Sequence, residues 1–272
     1  MLNGLKAKLQ ADRPVMGALA FLPSADVVEV LAVAGFDYVI IDLEHTATNS
    51  ETAVHMVRAA QVHGMSPLIR VRENSEKLIL QALEMGAEGI VVPFVQSRDD
   101  VIRAARAIRY LPDGVRGTCT ASRASRYGTL RTSFLEHTQA MNNGIVLVGL
   151  IEDMNGVNAI SEILDCDPGL DAVLVGRSDL SASIGQMGKW DHPAVIDATM
   201  RTIKAAAQHQ SAVRAGIVFG GPDETRHWLD AGCRFLCYGT DSDLLLSAAA
   251  RAKQAFTDAT LNVPVRATSS AA

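Results

Sequence analysis

Apolar residues recur along this chain in two alternating rhythms. Short, nearly continuous apolar runs stand at PVMGALA (14–20), DYVIID (37–42), PLIRV (67–71), GIVVPF (89–94), GIVLVGLI (144–151), DAVLVG (171–176), RAGIVF (214–219) and RFLCYG (234–239). Runs of this kind suit strands buried on both faces of a parallel sheet. Between them lie longer segments whose apolar residues recur three and four apart, such as 25–35, 75–86, 98–110, 157–165, 193–210 and 223–232. That spacing predicts helices with one buried face. Several close on Gly, which ends a helix by accepting left-handed backbone. Eight strand runs in strict alternation with helices, within 272 residues, predict an α/β fold of the (β/α)8 TIM-barrel type. No GxGxxG turn follows the first strand, which weighs against a dinucleotide-binding open sheet and a nicotinamide-dependent oxidoreductase.

The two ends and one connection depart from the repeat. Leu2, Leu5 and Leu9 predict a short amphipathic N-terminal helix, and a further helix is expected around 243–256. One barrel domain over 1–256 would then be followed by a small, polar tail, 257–272, expected to be flexible. The connection between the fourth and fifth strands is long. Its middle, YLPDGVRGTCTASRASRYG (110–128), is rich in Gly, Ser, Thr and Arg, the composition of a functional loop or lid.

Composition narrows the function classes. Hydrophobic residues make up 48% of the chain, enough to fill a large core, and the net charge of -5 comes without a basic stripe, so nucleic acid is not an expected partner. No apolar run approaches the roughly 20 residues that span a bilayer. The first residues, MLNGLKAKLQADRP, lack the apolar stretch of a signal peptide. Cys119, Cys166, Cys233 and Cys237 form no CxxC pair and read as buried free thiols of a reducing cytoplasm.

In a barrel, chemistry gathers where strands end. The second strand ends in Asp42, Glu44 and His45, the third in Arg70 and Arg72, and the fifth in Glu152 and Asp153. The sixth runs into Arg177, Ser178 and Asp179, and the eighth into Thr240 and Asp241. Glu152 and Asp179, just past adjacent strands, can share one hard cation in an all-oxygen shell, which suits Mg²⁺ or Mn²⁺. Alternatively each acid caps its next helix, as Asp179 could before LSASIG. Arg70 offers a fork for a carboxylate or an enolate oxygen, or it pairs internally with Asp42 or Glu44. His45 is the candidate general base, or an incidental loop histidine. The strand runs contain no lysine, which weighs against a Schiff-base aldolase.

These residues sit in motifs that resemble the HpcH/HpaI aldolase family, the metal-dependent class II pyruvate aldolases. The stretches are GFDYVIIDLEHTATN (35–49), PLIRV (67–71), VVPFVQSRDDVIRAARAIRYLPDGVRG (91–117) with SRASRYG (122–128), and LIEDMNGVNAISEILDCDPGLDAVLVGRSDLSASIG (150–185), and the likeness runs from about Leu5 to Phe256. The resemblance implies Glu152 and Asp179 as ligands of a divalent cation, Mg²⁺, Mn²⁺ or Co²⁺. It implies Arg70 as the residue that binds the 2-oxo group, His45 with Asp42 as acid–base machinery, and backbone amides around Ser178 and Asp179 as the holder of the pyruvate carboxylate. Glu84 stands where the family has an Asp that pairs with its histidine. A homo-hexamer, with the last helix taking part in oligomer packing, is also implied. Two positions depart from the pattern: Leu150 replaces a polar residue near the cation, and Arg177 replaces a proline beside it.

The expected reaction is reversible aldol cleavage of a 4-hydroxy-2-oxo acid to pyruvate and an aldehyde through an enolate. A rival keeps the enolate but draws it from oxaloacetate decarboxylation or condenses it, as a citrate-forming enzyme would. A different class is a 2-oxo-acid-binding barrel without turnover.

Overall fold

The computed structural model describes residues 4–261. Eight parallel strands close into a barrel in chain order, and the first pairs with the last. The elements run α1 (Gly4–Gln10), β1 (Val15–Ala20), α2 (Ala25–Val33), β2 (Tyr38–Asp42), α3 (Ser50–Val62), β3 (Ser66–Arg70), α4 (Glu76–Glu84) and β4 (Gly89–Val92). Then come α5 (Arg98–Ala107), α6 (Phe134–Gly144), β5 (Val146–Ile151), α7 (Met154–Asn158), α8 (Ile160–Leu164), β6 (Ala172–Val175) and α9 (Arg177–Ser183). The last are α10 (Pro193–Gln208), β7 (Arg214–Phe219), α11 (Glu224–Asp230), β8 (Phe235–Thr240) and α12 (Asp241–Thr260). Every predicted strand is present within a residue or two of its expected bounds.

Side-chain alternation along each strand divides the core into two parts. Val39, Ile41, Ile69, Ile90, Leu147, Val173 and Ile217 face outward and pack under the helices. Val15, Tyr38, Ile40, Leu68, Val91, Val148, Leu174 and Phe235 fill the interior. Tyr38 stacks on Phe235 at 4.3 Å between ring centres and donates its hydroxyl to the Leu236 carbonyl at 2.7 Å. Gly17 makes room for that ring: a Cβ there would lie 2.3 Å from the Tyr38 side chain.

Helix α1 seals the N-terminal end of the barrel. Leu5 and Leu9 join the interior cluster. Lys6 Nζ donates to the Ile145 carbonyl at 2.8 Å and to Asp171 Oδ2 at 3.2 Å, groups just before β5 and β6. Lys8 pairs with Asp37 just before β2, and Arg214 Nε on β7 donates to the Leu9 carbonyl. Leu2 of the predicted helix lies outside the described residues.

Three differences from the expected pattern have physical causes. The single helix expected over 157–165 is two short ones, divided at Ala159 (φ -87°, ψ 5°). The tail does not begin at 257, because α12 continues to Thr260; its start is fixed by a reciprocal cap between Thr240 and Asp243. Residues 262–272 lie outside the described residues. The long connection over 110–128 is not a lid on the strand ends. Arg116 is buried at its start, and Arg123 donates to the Met85 carbonyl and to Gln61 Oε1, tying the loop along the flank beyond α3 and α4.

Helix α12 has an uncommon surface. Only Asp241 of its 20 residues is buried, and Leu245, Leu246 and Phe256 lie exposed. Among the described residues no helix is long and apolar enough to cross a membrane.

Candidate active site

The inward row that fills the barrel continues upward into polar residues. Tyr38 and Ile40 face inward, so Asp42 does too; Leu68 sets Arg70, and Val148 and Leu150 set Glu152. Asp42 and Arg70 are directly paired in the β2–β3 register, which brings Arg70 Nε to Asp42 Oδ1 at 2.7 Å. Asp42 is fully buried, and its two oxygens also accept the backbone N–H groups of Glu44 and His45. It therefore holds both the arginine and the turn that carries the histidine.

A cavity of about 420 Å³ opens at these strand ends. His45, Arg70, Glu152, Arg177, Ser178 and Asp179 line it, with Phe21, Leu150, Leu174 and Trp190 among its apolar walls. No lysine is among the lining residues. Arg70 pairs internally, as one reading of the sequence allowed, yet its Nη2 is buried without a hydrogen-bond partner among the described residues. The guanidinium is thus held by Asp42 on one edge and left open on another.

Glu44, which the sequence offered only as a possible partner of Arg70, lies between the arginine and the histidine. Its Oε2 is 3.4 Å from Arg70 Nε and 3.7 Å from His45 Nε2. Burial raises the Glu44 carboxyl above its ordinary range, against the pull of Arg70. The half-exposed His45 ring stands at the cavity edge.

Glu152 is 3% exposed. Its Oε1 accepts the Phe94 N–H at 2.8 Å, which is aimed by the left-handed backbone of Phe94 (φ 47°). Its Oε2 faces Gly176, where a Cβ would lie 3.0 Å away, so a larger residue there would push on the carboxylate. The Glu152 carboxyl is pushed up to about 8, first by burial and then by Glu44 and Asp179, against the Phe94 amide and Arg70. Asp179 is not a helix cap: it stands in the first turn of α9, whose cap is Gly176 without a side-chain bond. The backbone N–H groups of Arg177, Ser178 and Asp179 have no backbone acceptor among the described residues. Asp153 is a cap, accepting the Gly156 N–H at 2.9 Å at the start of α7.

A divalent cation fits this acid pair. Neighbouring buried carboxylates penalise one another, and a cation between them removes that cost. No group of three or more His, Cys, Asp or Glu with metal-holding geometry exists among the described residues. Glu152 and Asp179 would therefore supply two ligands and leave the remaining positions to water and substrate oxygens.

Glu84 is placed elsewhere. Its carboxylate at the end of α4 lies 3.5 Å from Arg116 Nη2, and it does not line the cavity. Arg116 sits over the Tyr110 ring at 4.3 Å, so the long β4–β5 connection claims this acid. Leu150 is buried in the cavity wall. Arg177, whose direction the resemblance left open, borders the cavity while its guanidinium reaches Trp228 and Glu224 of α11.

The sequence profile of the HpcH/HpaI aldolase/citrate lyase family matches residues 18–248. The chain belongs to the HpcH/HpaI family. It is 35% identical over 251 residues to the 4-hydroxy-2-oxo-heptane-1,7-dioate aldolase of Shigella sonnei, covering 92% of this chain and 93% of that one. It is 30% identical over 254 residues to the 5-keto-4-deoxy-D-glucarate aldolase of Citrobacter koseri, covering 93% and 96%. An HpcH/HpaI family protein from Burkholderia cenocepacia has a solved structure with a TM-score of 0.87 and 32% identity, covering 93% of this chain and 99% of that one. Membership in the HpcH/HpaI family and these relatives place the chain among the aldolases and related carbon–carbon lyases.

Proposed function

We propose that this HpcH/HpaI enzyme is a metal-dependent pyruvate aldolase, cleaving a 4-hydroxy-2-oxo acid reversibly to pyruvate and an aldehyde. The observation that carries the reading is the open edge of Arg70, held by Asp42 in the same cavity as Glu152 and Asp179. Glu152 and Asp179 would hold the cation, with Mg²⁺, Mn²⁺ and Co²⁺ as the candidates for so oxygen-rich a site. When bound, it supplies Lewis-acid stabilisation of negative charge on the 2-oxo group.

The protein's own groups do the rest. Amides in the first turn of α9, around Ser178 and Asp179, hold the substrate carboxylate. Arg70 donates from its open edge to the 2-oxo oxygen, where charge grows as the carbon–carbon bond breaks. In cleavage the 4-hydroxyl gives up its proton, the C3–C4 bond electrons pass into the enolate, and C3 is then protonated to give the pyruvate methyl. His45 serves these transfers at the cavity edge, with Asp42 fixing its turn and Glu44 beside its ring. Buried Leu150 and half-buried Phe21 keep water from the enolate.

Proton exchange at the pyruvate methyl group, followed by NMR in D₂O with each cation in turn, tests the reading. Exchange should require a cation and vanish in Asp179→Ala; cation-independent exchange, or none, rejects it. An aldehyde panel then finds the acceptor, and oxaloacetate alone separates decarboxylation and citrate formation from aldol chemistry. The exposed Leu245, Leu246 and Phe256 on α12 support a homo-oligomer, read as a hexamer, with light scattering after gel filtration as its measurement.

A further inference from the structure

The wall of the cavity divides into two unlike arcs. One carries His45, Arg70 and Glu152 at the ends of β2, β3 and β5, and Asp179 in the first turn of α9 after β6. The other carries Val218, Gly239 and Phe21 at the ends of β7, β8 and β1. Asp243, the acid on this second arc, is committed to the cap of α12, where it accepts the Thr240 N–H. Trp190 lines the cavity from the connection between β6 and β7, where the two arcs meet.

Trp190 is 52% exposed, yet the chain around it is fastened on both sides. Fully buried Ser181 on α9 donates its hydroxyl to the Ser178 carbonyl at 2.6 Å and accepts the Gly188 N–H at 3.1 Å. Its own carbonyl accepts the Gln186 N–H at 2.7 Å. Gly185 (φ 75°) and Gly188 (φ 74°) supply the left-handed turns that fold the loop back onto this anchor. Beyond the indole, His192 caps α10 by accepting the Ala194 N–H on its Nδ1. The same serine thus ties the turn proposed to hold the substrate carboxylate to the loop that carries Trp190.

The chain has two tryptophans, and the fold uses only the other one. Trp228 is 5% exposed, donates its indole N–H to Glu224 and carries the Arg177 guanidinium on its ring. Among the described residues Trp190 makes no hydrogen bond from its indole N–H and no aromatic or cation–π contact. A large aromatic face held at a cavity rim without a partner of its own offers broad contact to a flat ligand.

We infer that Trp190 is a specificity-determining residue for the acceptor, its ring stacking on the body of the aldehyde and favouring flat aromatic aldehydes over aliphatic ones of equal size. The inference rests on the proposed 2-oxo-acid site around Arg70. With pyruvate on the charged arc, the aldehyde takes the apolar arc and its substituent points outward past Val218 to Trp190. The new bond joins the pyruvate methyl carbon to the aldehyde carbon, and the proton lost from the methyl group ends on the aldehyde oxygen as the 4-hydroxyl.

Aldol addition at saturating pyruvate, with Mg²⁺ present, tests this with benzaldehyde and cyclohexanecarbaldehyde, which have equal numbers of carbons and differ in a flat against a puckered ring. In the unchanged protein KM for benzaldehyde should be lower by about five-fold, the worth of one aromatic pair. Trp190→Leu, which keeps apolar bulk but removes the ring plane, should bring the two KM values together by raising that for benzaldehyde alone. Trp190→Phe should retain part of the preference. No preference for benzaldehyde in the unchanged protein, addition to neither aldehyde, or a preference that survives Trp190→Leu overturns the inference. Proton exchange at the pyruvate methyl group of the unchanged protein tells the failures apart: with exchange the 2-oxo-acid site stands and only the role of Trp190 falls, and without it both fall.

Discussion

The two ends of the barrel are built from the same inward rows of residues and treat polar groups in opposite ways. At the N-terminal end, α1 brings Lys6 and Lys8 to waiting partners, and Arg214 closes on the Leu9 carbonyl. Tyr38 there donates its hydroxyl within the core. At the C-terminal end, Arg70 Nη2 and Glu44 Oε2 have no hydrogen-bond partner among the described residues, and Glu152 is buried against two other acids. Satisfied groups at one end and open ones at the other separate what holds the barrel from what reacts with a ligand. A mouth of this kind costs stability, and the sealed floor offsets it.

Substitutions at the two ends should therefore move different measurements. The largest effect is expected from Glu152→Gln, which should lower turnover at least about a hundred-fold, the scale of losing a cation's share of transition-state stabilisation. The same change removes a buried, uncompensated carboxylate, so the metal-free protein should melt at an equal or higher temperature. A variant that lost stability along with activity would place Glu152 with the scaffold. At the floor the pattern reverses. Leu9→Ala should cost about 3 kcal/mol of unfolding free energy in denaturant titration, as for other buried leucines, with kcat per folded molecule unchanged. Lys6→Met leaves Asp171 and the Ile145 carbonyl without their charged donor and should cost about 2 kcal/mol, again without touching kcat.

The smallest effect concerns the thiols. Burial pushes Cys233 and Cys237 up to about 12 and also raises Cys166, so at pH 8 these remain neutral and unreactive. Cys119 alone is exposed. Alkylation of the native protein at pH 8, read by mass spectrometry, should modify that residue first and leave the other three until the chain is unfolded. Early labelling of Cys237 would mean that the barrel interior opens to solvent.

Much of this arrangement is legible in the sequence because it follows from alternation within a strand. Once Tyr38 and Ile40 face inward, Asp42 must as well, and the same holds for Arg70 after Leu68 and for Glu152 after Leu150. The Asp179 position likewise follows from a strand that stops at Gly176. What the sequence hides is set by contacts between distant segments. Glu84 meets Arg116, some 30 positions away, because the β4–β5 connection lies along the flank rather than over the mouth. The Phe94 amide that holds Glu152 depends on a left-handed backbone at a non-glycine residue, which no local pattern announces. The role of Glu44 was within reach, since it stands beside His45 at the end of an inward strand, but its neighbour drew the assignment. Trp190 enters the wall from the loop after α9, where apolar spacing carries no directional information.

A barrel closed at one end by its own first helix is a blind alley. Reactants cannot pass through it; they come and go by a single doorway. Whatever settles deepest, against Arg70, must arrive before a partner lodged nearer the entrance and depart after it, so the architecture itself dictates a queue.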